Sequence, residues 1–181
     1  MSARADERMY IEQGLRRAIV GDSLVVHYQP RVNLATRRII GVEALVRWPH
    51  PERGMVLPDS FISVAEECGV IEELGRWVLQ RACEETRSLA HERGKPGGEG
   101  FKLAVNVSAR QFLGDDFVAI VDAVIRQTGF PPAALELEIT ESSLQSVERS
   151  VHILNALETL GVAISIDDFG AGFSSLSRLT Q

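Results

Sequence analysis

The sequence predicts an α/β fold of the TIM-type (β/α) barrel kind, in which the first strand runs antiparallel to the second. Three observations support this prediction. The first two strands are joined by a connection too short for a helical crossover. The later elements alternate between strand and helix, which is typical of parallel strands with right-handed crossovers. The strands also carry polar side chains on one face only.

The N-terminal segment 1–20 is predicted to be a linker or docking helix. Its apolar residues recur at helical spacing and share one side of the helix: Ile11, Leu15, Ala18 and Ile19. Gly21 and Asp22 are expected to end this helix. The rest of the chain, residues 21–181, is predicted to belong to the barrel domain.

The two strands that follow span about residues 24–32 and 39–48, and the segment 33–38 connects them. A connection of this length joins antiparallel neighbours in a hairpin. If the hairpin turn centres on Thr36, Gln29 lies across from Glu43. Gln29 is then expected on the same side of the sheet as Glu43.

The remaining elements complete the alternation of strands and helices. In chain order they are a loop over 49–57, helices over 58–68 and 71–93 separated at Gly69, a loop over 94–100, a strand over 101–107, a helix over 115–128, a strand over 135–139, a helix over 146–160 and a strand over 162–167. A further helix is expected from Ser174. The chain is thus predicted to supply about five strands.

The alternation of side chains along these strands separates an apolar face from a polar one. The polar face carries Glu43, Arg47, Asn106, Glu136, Glu138 and Asp167. A doubly wound sheet has helices on both faces and needs both faces to be apolar. A barrel instead encloses its second face as a lumen, which can hold a site at the carboxyl ends of the strands. The pattern therefore favours a barrel over a Rossmann-type sheet.

The bulk composition excludes several classes of protein. The chain has 181 residues, of which 45% are hydrophobic and 24% charged, enough for one core. A net charge of −6 argues against a binder of nucleic-acid polymers. Cys68 and Cys83 show no close pairing motif and are expected to be reduced. With no signal-peptide pattern and no apolar run long enough for a bilayer, the domain is predicted to be cytoplasmic.

Oxygen-bearing side chains stand at or near the carboxyl ends of four predicted strands. They are Glu43, Asn106, Glu138 and Asp167, with Asp168 directly after the last. Carboxylates and an amide suit a hard cation such as Mg²⁺ or Mn²⁺, and adjacent aspartates can bridge two such ions for attack on a phosphodiester. Alternatively, these acids pair with lumen cations, notably Arg47 and Lys102. For 164–176 taken alone, a strand that ends in a helix cap at Asp168 or Ser174 is the other interpretation.

The segment Glu43-Ala44-Leu45-Val46-Arg47-Trp48 resembles the signature of the EAL-domain family, the cyclic di-GMP phosphodiesterases. Further motifs match in order, from Tyr28-Gln29-Pro30 through His50-Pro51-Glu52-Arg53-Gly54, Pro58-Asp59-Ser60-Phe61-Ile62, Asn106-Val107-Ser108 and Glu138-Ile139-Thr140-Glu141 to the segment 167–176. The resemblance runs from about residue 8 to the last residue, and the family fold is an eight-stranded barrel.

The resemblance implies a role for each matching residue. Glu43, Asn106, Glu138 and Asp167 would bind one metal ion, and Asp167 and Asp168 would contribute to a second. Glu43, Asp167 and Asp168 would form the catalytic set. Arg47 would contact a ligand phosphate, while Gln29 and the backbone of Leu45 would line the dinucleotide. Glu141 would brace the loop 168–175, although simple charge complementarity at a helix N-terminus is an alternative for it.

Two departures from the family pattern are apparent. Arg31 stands where the family more often has an aliphatic residue, and we expect it on the face opposite to Gln29, with little effect. The family's catalytic lysine, a second-metal glutamate and a ligand-binding glutamine would lie beyond Gln181. The chain is therefore expected to be the N-terminal part of a barrel, with its C-terminal strands absent and low stability as an isolated polypeptide.

The implied activity is metal-dependent hydrolysis of cyclic di-GMP to linear pGpG. The alternatives are a receptor domain that binds cyclic di-GMP without cleaving it, or a fragment that is inactive because its C-terminal part is missing. A metal-dependent barrel hydrolase for another phosphate ester is more distant. An upstream sensory or GGDEF domain and a homodimer are the expected protein partners.

Overall fold

The structure is a computed structural model, and it describes residues 3–93, 100–144 and 147–167. Its strands are β1 (Val25–Val32), β2 (Ile39–His50), β3 (Gly54–Val56), β4 (Lys102–Val107), β5 (Leu135–Thr140) and β6 (Ala163–Asp167). Its α-helices are α1 (Ala3–Val20), α2 (Ile62–Cys68), α3 (Ile71–Arg93), α4 (Ala109–Phe112), α5 (Phe117–Thr128) and α6 (Val147–Thr159). Short 3₁₀ turns occupy Pro58–Ser60, Pro132–Ala134 and Glu141–Leu144. The helix predicted from Ser174 lies outside the described residues.

The sheet has the strand order β1-β2-β4-β5-β6, and β3 pairs with β2. Strands β1 and β3 are antiparallel to β2, whereas β2, β4, β5 and β6 run parallel to one another. This arrangement confirms the predicted α/β fold with an antiparallel first strand. From β2 onward, the order of the parallel strands is that of a TIM-type barrel.

The hairpin between β1 and β2 has the predicted register, with Gln29 directly across from Glu43. The side chain of Asn33 fixes the turn, because its Oδ1 accepts hydrogen bonds from the backbone N–H groups of Ala35 and Thr36, both at 3.0 Å. Asn is favoured at such positions because its short amide can replace a backbone acceptor. The register therefore follows from local turn chemistry.

The apolar core lies between one face of the sheet and the helices. In β5, Leu135, Leu137 and Ile139 are buried, while Glu136 and Glu138 alternate with them on the other face and are half-buried. Full burial of one such aliphatic side chain contributes about 1.5–3 kcal/mol. In β4 the apolar face is buried too, while Asn106 on the other face is exposed and the small Ala104 beside it is buried, so the predicted division into an apolar and a polar face is confirmed. We call the polar face the lumen face; it carries Gln29, Glu43, Asn106, Glu136, Glu138 and Asp167.

Helix α1 packs onto this core. Ile11, Leu15 and Ala18 are buried, as the helical spacing predicts, and the helix ends where the N–H of Gly21 bonds the carbonyl of Arg17 at 2.8 Å. The hydroxyl of Tyr10 donates to Glu52 at 2.8 Å, which ties the helix to the segment after β2. The N-terminal helix is thus an integral part of the described structure.

Two elements differ from the sequence-based expectation. The segment 49–57 was expected to be a loop, but β2 continues to His50 and pairs with β3, with Trp48 across from Val56. Gly54, at a φ of 67°, makes the tight return possible. Helix α4 was not expected either; Ser108 and Gln111 form a capping box at its start. Both elements are short, so helical or alternating periodicity carries little signal for them.

Candidate functional site

The parallel register aligns the predicted site residues at the carboxyl ends of the strands. Asn106 pairs with Glu138 across β4 and β5, and Thr140 pairs with Asp167 across β5 and β6. Across β2 and β4, Glu43 pairs with Ala104, which precedes Asn106 by two residues and therefore lies on the same face. Asn106 Nδ2 donates to Glu43 Oε1 at 2.8 Å and so joins β2 to β4 across the lumen face.

Glu138 lies at the centre of this acidic group. Its side chain is 13% exposed, and burial is the largest cause that raises the pKa of its carboxyl group. The neighbouring carboxylates of Glu43, Glu136 and Asp167 raise the pKa further, whereas Arg31 lowers it. Ionised carboxylates gathered in a poorly solvated place repel one another, so the group favours either a proton or a cation between them.

Arg31 lies on the lumen face, and the expectation that it points away from Gln29 is wrong. It pairs with Gly41 two residues after Gln29 pairs with Glu43, and residues two apart in a strand share a face. Its Nη1 donates to Glu136 Oε1 at 2.6 Å and lies 3.5 Å from Glu138 Oε1. The side chain therefore binds the acidic group directly.

The reach of Arg31 also shows that the sheet curls. Strands β2 and β4 stand between β1 and β5 in the sheet order. At the usual spacing between strands, β1 and β5 would be about 14 Å apart in a flat sheet, too far for one ion pair between an arginine and a glutamate. The contact from Arg31 to Glu136 therefore requires the lumen face to be concave, as it is in a barrel.

The two cations that the sequence offered as partners for the acids bind elsewhere. Arg47 Nη1 donates to the carbonyl of Val46 at 2.8 Å. Lys102 Nζ donates to the carbonyl of Ala133 at 2.6 Å. The alternative interpretation, in which basic side chains neutralise the lumen acids, therefore holds for Glu136 and Glu138, and the basic residue is Arg31. The sequence could have predicted this position of Arg31, because Arg31 is two residues from Gln29 and side chains two apart in a strand lie on the same face.

A cavity of about 290 Å³ opens at the carboxyl ends of the parallel strands. Leu45, Asn106, Ser108, Glu138, Thr140 and Asp167 line one side of it. Apolar side chains of α2 and α3 line the other, among them Ile62 and Leu74. Gln29 and Arg47, the other residues expected to contact a ligand, lie on β1 and β2, exposed and half-buried respectively.

The carboxylates and the amide of the lumen face are ligands of the kind that a hard cation binds, although they are not arranged as a complete metal site. Among the described residues, no three His, Cys, Asp or Glu side chains are close enough to hold a metal ion together. The candidate set also includes the amide of Asn106, and Asp168 lies outside the described residues. Ser165 pairs with Glu138 across β5 and β6 and therefore lies on the lumen face. Its Oγ is buried without a hydrogen-bond partner in the part of the chain that the structure covers. Together with the carboxylates of this face, Ser165 Oγ is an oxygen atom of the kind that a hard cation binds.

Two further predicted residues receive a limited structural description. Glu141 begins the 3₁₀ turn directly after β5, and its side chain lies outside the described part of the chain. Asp168 and the loop 168–175 that Glu141 was expected to brace lie outside it as well. Their roles remain predictions.

The fold and the site together define an α/β-barrel domain with an acidic, amide-containing site at the carboxyl ends of its strands. The comparison with known families is more specific. The chain belongs to the EAL domain family, whose family model matches residues 12–181.

Curated relatives match the chain over nearly its whole length. An uncharacterized signaling protein of Caulobacter vibrioides is 47% identical over 96% of this chain and 20% of the relative. The cyclic di-GMP phosphodiesterase NbdA of Pseudomonas aeruginosa is 42% identical over 98% of this chain and 22% of its own length. The chain thus spans about a fifth of the length of these relatives.

Solved structures share the fold. The PaMucR phosphodiesterase in complex with c-di-GMP superposes with a TM-score of 0.85 at 40% identity, over 94% of this chain and 68% of that one. The EAL enzyme Bd1971, bound to cAMP and cyclic di-GMP, gives a TM-score of 0.88 at 32% identity, over 100% of this chain and 49% of that one. Among the residues that the structure describes, no helix has the length and apolar character needed to cross a membrane.

Proposed function

We propose that this chain provides the metal-binding and ligand-binding face of a phosphodiesterase domain that hydrolyses cyclic di-GMP to linear pGpG. One observation carries the proposal: Glu138 lies between acidic neighbours and beside Asn106, on a concave face that opens into a cavity at the strand ends. The names of the relatives NbdA and PaMucR support cyclic di-GMP as the substrate.

The proposed cation site uses residues from four strands. Glu43, Asn106, Glu138 and Asp167 would hold one Mg²⁺ or Mn²⁺ ion, and Asp167 with Asp168 would contribute to a second. Because Asn106 uses its amide nitrogen on Glu43, its Oδ1 is not consumed by that bond. Bound divalent cations would supply an activated water and screen the charge on the phosphoryl oxygens.

The protein residues around the cations would hold the substrate. Arg47 would contact a phosphate of the dinucleotide, since a guanidinium that makes one bond to a carbonyl retains other N–H donors. Gln29 and the backbone of Leu45 would line the ligand. Hydrolysis adds water oxygen to phosphorus and breaks the bond from phosphorus to the 3′-oxygen, which leaves a 5′-phosphate and a free 3′-hydroxyl in pGpG. Glu141 would brace the loop after Asp167.

The same reasoning extends to the surroundings of the domain. One relative is named a bifunctional diguanylate cyclase and cyclic di-GMP phosphodiesterase, and the chain covers 26% of its length. We infer that the parent protein carries a GGDEF or sensory domain before α1. The cytoplasmic location remains a prediction from the sequence, and the homodimer remains one that only the family resemblance implies.

Turnover by site variants of the full-length protein tests this proposal. With Mn²⁺ or Mg²⁺ present, the unaltered protein should release pGpG from cyclic di-GMP, as followed by chromatography. Glu43→Ala and Asp167→Asn should each lower the rate by at least about a hundredfold, because each removes a cation ligand. Glu92→Ala, an exposed acid on α3, is the matched control and should leave the rate unchanged.

Two outcomes would contradict the assignment. Near-normal turnover in either site variant, with the fold intact by circular dichroism, would exclude that residue as a cation ligand. Tight binding of cyclic di-GMP by the unaltered protein without any release of pGpG would instead identify a receptor domain.

A further inference from the structure

An ion pair on the lumen face is not used by the function proposed above. Arg31 Nη1 donates to Glu136 Oε1 at 2.6 Å, a short charge-assisted hydrogen bond. The side chain of Glu136 is 15% exposed and that of Arg31 is 36% exposed, so the bond is partly shielded from solvent on the glutamate side. Neither residue belongs to the proposed cation ligands.

The same guanidinium nitrogen is within reach of a proposed cation ligand. Arg31 Nη1 lies 3.5 Å from Glu138 Oε1, beyond a good hydrogen bond but close enough for strong attraction. Glu136 and Glu138 are two apart in β5 and share the lumen face. One arginine thus stands between two carboxylates and makes its close contact with the one that is not a proposed ligand.

We propose that Glu136 is a positioning residue that holds Arg31 away from Glu138 and so keeps the Glu138 carboxylate free for the divalent cation. This inference rests on the proposed function, because it assumes that Glu138 binds the cation. Without the Glu136 carboxylate, Glu138 remains as a carboxylate within ion-pair distance of Arg31. A guanidinium paired with Glu138 would compete with the cation for the same oxygens and would place a positive charge beside it.

The two members of the pair are therefore expected to have opposite effects on cation affinity. Removing Glu136 should release Arg31 onto Glu138 and weaken cation binding. Removing Arg31 removes the competitor, so the affinity should not fall. Removing both leaves Glu138 without a competitor and should restore the affinity that the loss of Glu136 alone takes away.

Mn²⁺ titration calorimetry on the full-length protein tests this, with four proteins compared: the unaltered one, Glu136→Gln, Arg31→Met and the double variant. We expect Glu136→Gln to weaken Mn²⁺ binding by about tenfold or more, the range seen for residues that orient metal ligands. Arg31→Met should bind at least as tightly as the unaltered protein. The double variant should return to within about threefold of it. Asp122→Asn, which breaks an exposed ion pair with Arg126 on α5, is the control and should change nothing.

Each result either supports or overturns the inference. Unchanged affinity in Glu136→Gln overturns it, and so does a double variant as weak as Glu136→Gln, since Glu136 would then act without Arg31. If Glu136→Gln does not fold, Arg31→Met decides, because a loss of affinity there means that Arg31 supports the site. If the unaltered protein does not bind Mn²⁺, both the proposed function and this inference are overturned. If it binds Mn²⁺ but the variants do not behave as expected, only this inference is overturned.

Discussion

At the scale of single residues, the sequence predicts on which face of the sheet Arg31 lies, but it does not predict which residue Arg31 contacts. Its spacing from Gln29 places it on the lumen face, and the sequence contained that information. Its partner Glu136 lies on β5, beyond two intervening strands, and no local pattern connects the two residues. The contact exists because the sheet curls, so only the tertiary structure could reveal it.

The buried thiol of Cys83 allows a prediction at the same scale. Cys83 is fully buried, and burial raises its pKa to about 12, whereas Cys68 is partly exposed. Because the thiolate is the reactive form, Cys83 in the folded protein should react with a thiol reagent at pH 8 at least about a hundredfold more slowly than Cys68. The variants Cys68→Ser and Cys83→Ser separate the two rates.

The raised pKa of Cys83 also gives the sign of its pH dependence. The folded state keeps the proton more strongly than the unfolded chain, whose thiol ionises at about 8.5. Its contribution to stability is therefore fully present below that pH and is lost as the pH rises from there towards 12. Equal labelling rates for the two cysteines at pH 8 in the folded protein would contradict the burial of Cys83.

At the scale of elements, α1 was predicted as a linker or docking helix, and the structure shows that it also packs in the core. The sequence predicts a linker or docking helix over residues 1–20, and that boundary remains a prediction. The structure shows that the apolar side of α1 belongs to the same core as the sheet and α3, with Leu15 fully buried. A signal that altered the position of α1 would therefore act on the packed core.

A pair of substitutions in α1 measures this coupling. Leu15→Ala removes a fully buried side chain and should lower the free energy of unfolding by about 2–5 kcal/mol. Val20→Ala, at a side chain that is 86% exposed in the same helix, should change it by less than about 0.5 kcal/mol. Urea denaturation followed by circular dichroism provides both values. Equal effects of the two substitutions would mean that α1 does not pack as described.

At the scale of the whole molecule, charge limits how an anionic dinucleotide can bind. The chain carries a net charge of −6, and the lumen face adds the local field of Glu43, Glu138 and Asp167. Cyclic di-GMP carries a negative charge on each of its phosphodiesters. A cation between the carboxylates and the phosphates converts this repulsion into attraction.

Removal of divalent cations should therefore weaken ligand binding as well as turnover. In EDTA, the full-length protein should bind cyclic di-GMP at least about tenfold more weakly than in Mg²⁺ or Mn²⁺, as measured by calorimetry. Refilling with Mg²⁺ should restore the affinity, while NaCl at the same ionic strength should not. Equal affinity with and without EDTA would contradict a cation between the carboxylates and the phosphates.

Much of the fold followed from local signals. The register of the β1–β2 hairpin followed from a turn centred on Thr36, and the two faces of β4 and β5 followed from alternation. The short elements β3 and α4 did not, because a few residues carry too little periodicity. For the site, alternation placed Asn106 and Glu138 on one face, and the resemblance to a family suggested their roles.

The sequence by itself determined the alternation of elements, the division of each strand into an apolar and a polar side, and the acidic character of the strand ends. These properties depend on neighbours in the chain, since side-chain direction repeats every second residue in a strand. The tertiary structure alone decided which distant groups meet: Asn106 with Glu43, and Arg31 with Glu136 and Glu138. Those contacts depend on strand register and on the curvature of the sheet, which are properties of the packed molecule as a whole.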